Sequence, residues 1–556
     1  MDAEIGRIVA TFTTIESEFR TLVGELRRSR NEAARINLLP NELLSYIFQL
    51  VSTTDPILHR DPYTPIRLSH TSSLWREIAL STPQLWSTIN FVGAQPLLAM
   101  FLERSKTYPL TVRGRESVYF SGFEDRITSC VPRWQDVTFN LPRPIMETFV
   151  RKLPISAPQL RSLTLRSTSS HRPTTTKSWV FNGDTPNLRS LSLISVVFPF
   201  DSPIFSNLVQ LTLWPGPNAQ PQPSLLQLHQ IFTSSPWLQL LSLSLNINHD
   251  EPGAGNSSCV QKLPPVSLSH LQKMTLNNMA ESIVCQITGL IVIPESCFLR
   301  CNILDGGMER HPRDLAQTSD DGFSSSFPNH HLIQTLHISG HCGRLRIEGW
   351  GEVPLQEKLL DVRYNSTPTF ARTVLDRIGS PTMPLTDLRH LAFFNVGQSL
   401  FLCADTCSGM LSRLPTITSL SLSGCRLDEL IYPLSLPAED SGLLGEGAWL
   451  CPLLAKLILT FPSSWTLADL STVIDNRQMA TDMKLCPIES VEIKGYRGLS
   501  KCQNLAELRE KVKLVLSGAW NDGSPSIFGC GTQGGAPQDI RTSGLFALDD
   551  YEHDEE

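Results

Sequence analysis

The sequence predicts an α/β chain: a short helical N-terminal unit followed by an array of strand-bearing repeats, each strand trailed by a helix or loop. Three observations carry that expectation. Apolar residues between positions 1 and 91 recur at helical spacing. Ten segments between positions 157 and 493 share one strand-like pattern. Residues 518–556 lose apolar periodicity and turn rich in Gly, Ser and acid.

The first element, read as residues 1–35, has few helix breakers. Ile5, Ile8, Phe12, Ile15, Phe19, Leu22 and Leu26 alternate by three and four, as in an a/d seam. Such a stripe fits an amphipathic helix lying on the next domain, or a coiled-coil contact. The second element opens INLLPNELLSYIFQLV at residues 36–51. Pro40 suits the first helical position, where its missing N–H costs nothing. Glu42 then sits in the first turn, where a negative charge meets the positive end of the helix dipole. Leu43, Leu44, Ile47, Phe48 and Val51 follow on one face, and Leu39 can close over Leu43. After a loop rich in Pro and Asp, a second helix carries Leu68, Trp75, Ile78 and Ala79 and stops at Ser81-Thr82-Pro83. Leu85-Trp86 leads into a strand-like Ser87–Phe91. A unit this small is marginal alone, so it shares its core with a downstream domain or a partner.

The repeats begin at Ala157-Pro-Gln-Leu-Arg-Ser-Leu-Thr-Leu165 and recur at 185–193, 205–213, 235–243 and 268–276, then at 330–338, 385–393, 414–422, 451–459 and 486–493. Their shared L-x-x-L-x-L is the strand segment of a leucine-rich repeat. Ile417-Thr-Ser-Leu420-Ser-Leu422-Ser-Gly-Cys425-Arg-Leu427 extends to the full signature. Most spacings run from 20 to 37 residues, with two of 62 and 55 that imply degenerate repeats or insertions. Five repeats place Pro two residues ahead of the first apolar position, where it costs no ladder bond if the strand starts after it. The array is read as residues 92–517 and the tail as 518–556, disordered and acidic.

Bulk properties narrow the function. With 556 residues, 41% apolar and 18% charged, the chain is globular. The net charge of −7 argues against nucleic-acid binding, which needs a basic footprint. Most of it is local: Ala536 to Glu556 holds seven acids and one Arg. No apolar stretch is long enough to span a bilayer, and the N-terminus lacks the apolar core of a signal peptide. Thirteen cysteines without regular spacing read as free thiols in a reducing compartment, cytoplasmic or nuclear.

Motifs for chemistry are weak. Gly529-Cys-Gly531-Thr-Gln-Gly534 lies in a low-complexity tail rather than between a strand and a helix. Cys297-x-x-x-Cys301 and Cys403-x-x-x-Cys407, with His337 and His341-Cys342 nearby in sequence, could be zinc half-sites, but structural zinc shows tight paired spacings and buried thiols explain them better. No cofactor, metal or catalytic site is expected, so the chain is read as a binding protein and not an enzyme.

Leu39-Pro40-Asn-Glu42-Leu43-Leu44-Ser-Tyr-Ile47-Phe48, then Trp75-Arg-Glu-Ile-Ala, then Leu85-Trp86 resembles the F-box, over about residues 36–91 and in its fungal F-box-like form. Two features depart from it: the longer loop Ser52–Pro65, and Thr71-Ser-Ser-Leu74 where a Val-Cys-basic stretch usually precedes the Trp. The resemblance implies an adaptor of an SCF-type ubiquitin ligase, docking on a Skp-family linker protein and through it on a cullin scaffold, with the repeats holding an unknown protein target. Leu39, Pro40, Leu43, Leu44, Ile47, Phe48 and Trp75 would then serve as core plus linker-binding surface. A repeat scaffold outside any ubiquitin complex is the other reading.

Strand alternation turns the repeat leucines inward and the residues between them outward. Arg166, Ile194, Trp214, Asn277, His337, Phe394, Lys456, Glu492 and Lys494 fall on the outward face. Charges there look sparse and of mixed sign, against a nucleic acid or lipid. Outward aromatics fit a protein partner, with Arg166, Trp214, His337, Phe394, Lys456 and Lys494 as target contacts, although Trp214, followed by Pro215-Gly-Pro, could instead pack in a loop.

Overall fold

The computed structural model describes residues 2–53, 63–90, 95–114, 124–153, 155–168, 173–176, 178–216, 219, 221–246, 263–304, 327, 329–341, 344–352, 357–365, 374–381, 383–394, 404–423, 431–435, 449–460, 464–480, 485–494 and 503–517. Residues 518–556, with the Gly529–Gly534 motif, and positions Cys403 and Cys342 lie outside them. The fold is mixed α/β, with helices at the N-terminus. Its described residues gather into two compact units, 2–163 with 184–187, and 164–183 with 188–517.

In the first unit α1 (Asp2–Glu32) is one continuous helix. Its seam from Ile5 to Leu26 is more than half exposed at every position. The helix therefore does not lie on another part of the described chain through that stripe. Next come α2 (Asn41–Thr53), α3 (Thr64–Ser69) and α4 (Ser73–Ser81). The second helix expected from sequence is thus two. The chain breaks at His70–Ser72, and the Ser72 hydroxyl accepts the Trp75 N–H at 3.1 Å to start α4.

A short 3-10 turn (Pro83–Trp86) leads to β1 (Thr88–Asn90), followed by α5 (Gln95–Arg104), β2 (Leu110–Gly114), α6 (Glu124–Thr128), β3 (Trp134–Leu141) and α7 (Arg143–Arg151). β1, β2 and β3 pair in parallel. Trp134, Val137 and Phe139 occupy the same offsets as the leucines of L-x-x-L-x-L and are buried. The spacing held there while the residue type changed, so a search for leucine passes over it. Phe149 of α7 packs on both rings, with centroids 6.2 Å from Trp134 and 4.6 Å from Phe139.

After β4 (Ser162–Ser167), the second unit is built on one ladder of thirteen paired strands. In spatial order these are β6 (Ser190–Ile194), β8 (Gln210–Trp214), β9 (Leu240–Leu243), β11 (Lys273–Ala280), β13 (Phe298–Leu304), β16 (Lys358–Asn365), β15 (Arg344–Trp350), β14 (Thr335–His341), β17 (His390–Phe394), β18 (Ser419–Ser423), β19 (Lys456–Thr460), β20 (Ser490–Lys494) and β21 (Lys513–Ser517). Two short parallel pairs stand outside it, β5 (Thr174–Thr175) with β7 (Val196–Val197) and β10 (Val266–Ser267) with β12 (Ile291–Val292). Connecting helices include α8 (Leu225–Ser234), α9 (Glu281–Gly289), α10 (Ala404–Ser412), α11 (Ser464–Met479) and α12 (Gln503–Lys511). A capping box on Ser224 and Gln227 starts α8.

The register places the repeat positions in line. Leu191, Leu211, Leu241, Met274, Leu299 and Leu360 are successive partners across six strands, and all are buried. Cys301 stands level with Leu276 and Val362, so its thiol fills a leucine site. Burial pushes that thiol up to about 12, which makes it a small hydrophobe rather than a metal ligand. Among the described residues no three of His, Cys, Asp and Glu gather as a metal site would require, and no helix is long and apolar enough to cross a membrane.

The two wide gaps in the repeat spacing are filled by β13, β15 and β16. β15 runs antiparallel to both neighbours, in a ladder whose other pairs are parallel. At Gly349 a Cβ would come within 2.9 Å of the Ile333 side chain. Glycine there lets the extra strand sit against the same apolar layer.

Candidate functional site

The first candidate surface is α2. The Pro40 carbonyl accepts from the Leu43 and Leu44 N–H groups at 3.0 and 3.1 Å, which makes Pro40 the cap and Asn41 the first helical residue. The position expected for Pro40 is thus off by one, and Glu42 keeps its place in the first turn. Leu44 and Phe48 are buried, as are Ile78, Ala79, Leu85, Trp86 and Ile89 on the elements that follow, all no more than 3% exposed. Phe48 lies 4.8 Å from the Trp75 ring. Trp75 donates its indole N–H to Asn37 Oδ1 at 2.7 Å, and Asn37 donates to the Asn31 carbonyl at 2.6 Å. That chain of bonds fixes the segment entering α2. Trp86 donates to the Ala79 carbonyl at 2.8 Å and carries the Arg104 guanidinium over its ring at 4.4 Å.

These contacts divide the sequence-derived candidates. Leu44 and Phe48 are core and offer a partner nothing to touch, a correction to their reading as docking residues. Leu43 is 49% exposed, Pro40 is exposed, and Leu39, Ile47 and Trp75 are half-buried. The apolar surface extends through residues the sequence reading passed over, Leu38, Tyr46 and Leu50, which are 75%, 58% and 45% exposed; Val51, read from sequence as part of the apolar face, is exposed as well. Leu43, Tyr46, Ile47 and Leu50 follow three-and-four spacing, the signal that could have found them. They form a band next to the core face.

The second candidate surface is the solvent-facing side of the strand ladder. One row of register partners reads Ser192, Thr212, Ser242, Thr275, Arg300, Asp361, Glu348, His337, Ala392, Ser421, Ile458, Glu492 and Val515. Of the expected target contacts, Trp214 is the register partner of outward-facing Ile194 and donates to Ser242 Oγ at 3.2 Å. The Trp214 side chain therefore lies along the sheet, not in a loop. His337 and Phe394 meet with ring centroids 5.4 Å apart. Lys456 and Lys494 both pair with Glu492 at 3.4 Å. Burial of the Glu492 carboxyl would raise its pKa, but the two ammonium groups hold it below the usual carboxylate range. Arg166 is half-buried on β4.

The charges of this face are not sparse, as the sequence suggested, but concentrated at its middle. Asp361, whose side chain is fully buried, receives two hydrogen bonds from Arg346 at 3.1 and 3.0 Å and one from Lys358 at 3.2 Å. Arg363 and Arg300 approach it at 3.4 and 3.5 Å. Glu348 pairs with Arg346 at 2.8 Å and with Lys358. Burial works to raise the Asp361 pKa, but the Arg346 hydrogen bonds and the charges of Lys358, Arg346 and Arg363 outweigh it and hold the group well below the usual carboxylate range. His337 packs against Trp350 with the rings tilted and their centroids 4.3 Å apart, and burial lowers its pKa, favouring the neutral ring. Arg300, Arg346, Trp350, Lys358, Asp361 and Arg363 were all missed from sequence, because they sit on the three strands that hide the repeat pattern.

A comparison with protein families matches residues 36–92 to the family described as F-box-like. A search of curated proteins found none that matches the chain. The matched span begins in the segment held by Asn37 and takes in α2, α3, α4, the 3-10 turn and β1. Residues 36–92 are an F-box-like domain, which suggests a role in protein–protein interaction.

Proposed function

We propose that this chain is the substrate-recognition adaptor of an SCF-type ubiquitin ligase. F-box domains generally bind Skp-family linkers, and the observation that carries the reading is the exposed apolar band on α2 of the F-box-like domain. Leu43, Ile47, Leu50 and Leu38 leave a surface on a small helical unit that a partner helix would cover. The linker would join the chain to a cullin scaffold in the cytoplasm or nucleus. The strands of residues 92–517 form a degenerate leucine-rich-repeat solenoid whose outward face holds a protein target. The chain supplies no catalytic residue. It would accelerate transfer by holding a target lysine at high effective concentration near the charged enzyme.

Co-purification of the full chain with a Skp-family protein tests the reading directly. A stable complex that is lost in Leu43→Ala with Leu50→Ala supports it. No complex under conditions where the chain is folded would leave a repeat scaffold outside the ubiquitin system.

A further inference from the structure

α1 runs for 31 residues, roughly 46 Å at helical rise, and no described element covers its apolar side. Eight large apolar residues between Ile5 and Leu26 are each between 53% and 72% exposed. A continuous apolar stripe of that extent marks an interaction site. The helix is also poorly sustained by its own residues. Gly6, Gly24 and the threonines at 11, 13, 14 and 21 all lower helix propensity, and most helical stability in proteins comes from packing an apolar face. The packing that the described part of this chain does not supply falls to another chain.

The charges flanking the seam choose the occupant. With Phe12 and Phe19 at a and Ile15 and Leu22 at d, the g row holds Glu4, Glu18, Glu25 and Glu32, broken by Thr11. Along the e row Val9 and Val23 alternate with Glu16 and Arg30. Two copies running parallel set each g residue against the next e residue of the other copy. Glu25 then meets Arg30, Glu4 and Glu18 meet Val9 and Val23, and Thr11 meets Glu16. Opposite charges pair on each side and no like charges do. Two copies running antiparallel, with the seam fully overlapped, set Glu18 against Glu18, Glu4 against Glu32 and Glu16 against Glu16. Arg20 holds Glu16 at 2.6 Å within the helix, which softens the last of these clashes but not the first two. We propose that α1 pairs with α1 of a second copy of this chain as a parallel, two-stranded coiled coil. The pairing stands apart from the adaptor reading, but its use rests on that reading. Asn37 donates to the Asn31 carbonyl at 2.6 Å and accepts from Trp75, so the F-box-like domain is tied to the end of α1. Parallel helices bring both F-box-like domains out at one end, and one target held by two copies is served by two linkers.

The test is the mass of the full-length chain by light scattering during size-exclusion chromatography at micromolar concentration. Wild type should run as two copies. Phe12→Glu with Phe19→Glu should run as one, with the melting temperature within a few degrees because both rings are exposed. Orientation is read from variants that leave the seam intact. In a parallel pair Glu25→Arg alone opposes cations and Arg30→Glu alone opposes acids, so each should associate at least fivefold more weakly than wild type. A one-to-one mixture of the two variants restores opposite charges on both sides and should recover wild-type association. In an antiparallel pair position 25 faces Thr11 instead, and mixing recovers nothing.

A wild-type chain that runs as one copy, a mass of three or more copies, a double phenylalanine variant that still pairs, or charge variants whose mixture gains nothing would each overturn the proposal. Skp-family co-purification is scored separately. A single-copy chain that binds the linker breaks this inference alone, and a paired chain that does not bind it breaks the adaptor reading alone. A single-copy chain that loses the linker in Phe12→Glu with Phe19→Glu would give the seam to the linker and overturn the pairing.

Discussion

The helical unit and the strand ladder bury their apolar residues by different rules, and the difference decides how each can be used. On α2, apolar residues cover a wide arc: Leu44 and Phe48 are buried, Ile47 is half-buried, and Leu43 and Leu50 are about half exposed. On a strand such as β6 the division is sharp. Leu191 and Leu193 are 1% exposed, while Ser192 and Ile194 between and after them reach solvent. A period of two sends each side chain to one face or the other. A period of 3.6 spreads them around a cylinder, and an arc broader than the core leaves a margin that something else can cover. That margin leaves apolar surface exposed on α2, whereas the ladder exposes what lies between its leucines.

Core truncations should show the largest effects, and they separate the two faces of α2. Phe48→Ala removes a ring 1% exposed that packs on Trp75, and should destabilise the unit by about 3–5 kcal/mol. Leu191→Ala on the ladder should cost about 2–5 kcal/mol, read from the urea midpoint. Leu43→Ala with Leu50→Ala should leave that midpoint nearly unchanged yet weaken linker binding by about 2 kcal/mol or more. If the exposed pair unfolds the domain as Phe48→Ala does, the two faces have been assigned wrongly.

The charged centre gives the next effect. Asp361→Asn leaves four cations without their central anion and should cost about 3 kcal/mol at neutral pH, the lower end for a broken buried pair because the cations keep some solvent. The folded Asp361 pKa is depressed, so its contribution is fully present above the unfolded value of about 3.9 and is lost as pH falls toward the folded value. The melting-temperature gap between wild type and Asp361→Asn should hold steady from pH 7 to pH 5 and narrow below about pH 4. A gap that widens on acidification would mean that Asp361 is not held by these cations.

How far the sequence could be read follows from the same contrast. The ladder was legible wherever Leu recurred, because alternation settles both the strand and its facing. It became illegible where other residues took the same sites: Trp134, Val137 and Phe139 on β3, and Cys301 on β13. The antiparallel β15 escaped for another reason. Pairing in a ladder is a long-range choice, and Arg344–Trp350 alternates equally well in either direction. On α2 the helix was legible but its core side was not, so Leu44 and Phe48 were taken for contacts and Leu38, Tyr46 and Leu50 were passed over. The cation cluster around Asp361 was invisible because its members come from three strands and meet only through register.

The smallest effect concerns the outward aromatics, and it tests whether the ladder face is a surface or a second core. Trp214 is half-buried and gives one hydrogen bond to Ser242. Trp214→Phe keeps most of the ring and should cost about 1 kcal/mol, the net worth of a single hydrogen bond. Phe394 rests on His337 and is half-buried, so Phe394→Ala should cost less than the 3–5 kcal/mol of a core phenylalanine. The His337 ring should report on that change. Burial is the first cause of its lowered pKa, and removing Phe394 opens the site, so the His337 titration followed by NMR should move up toward the ordinary value near 6.5. A double variant, Trp214→Ala with Phe394→Ala, that melts within a few degrees of wild type while a bound target is lost would make these rings part of the recognition surface. A loss of stability comparable to that of Leu191→Ala would make them core, and the outward face would then be only the charges and small hydroxyls between them.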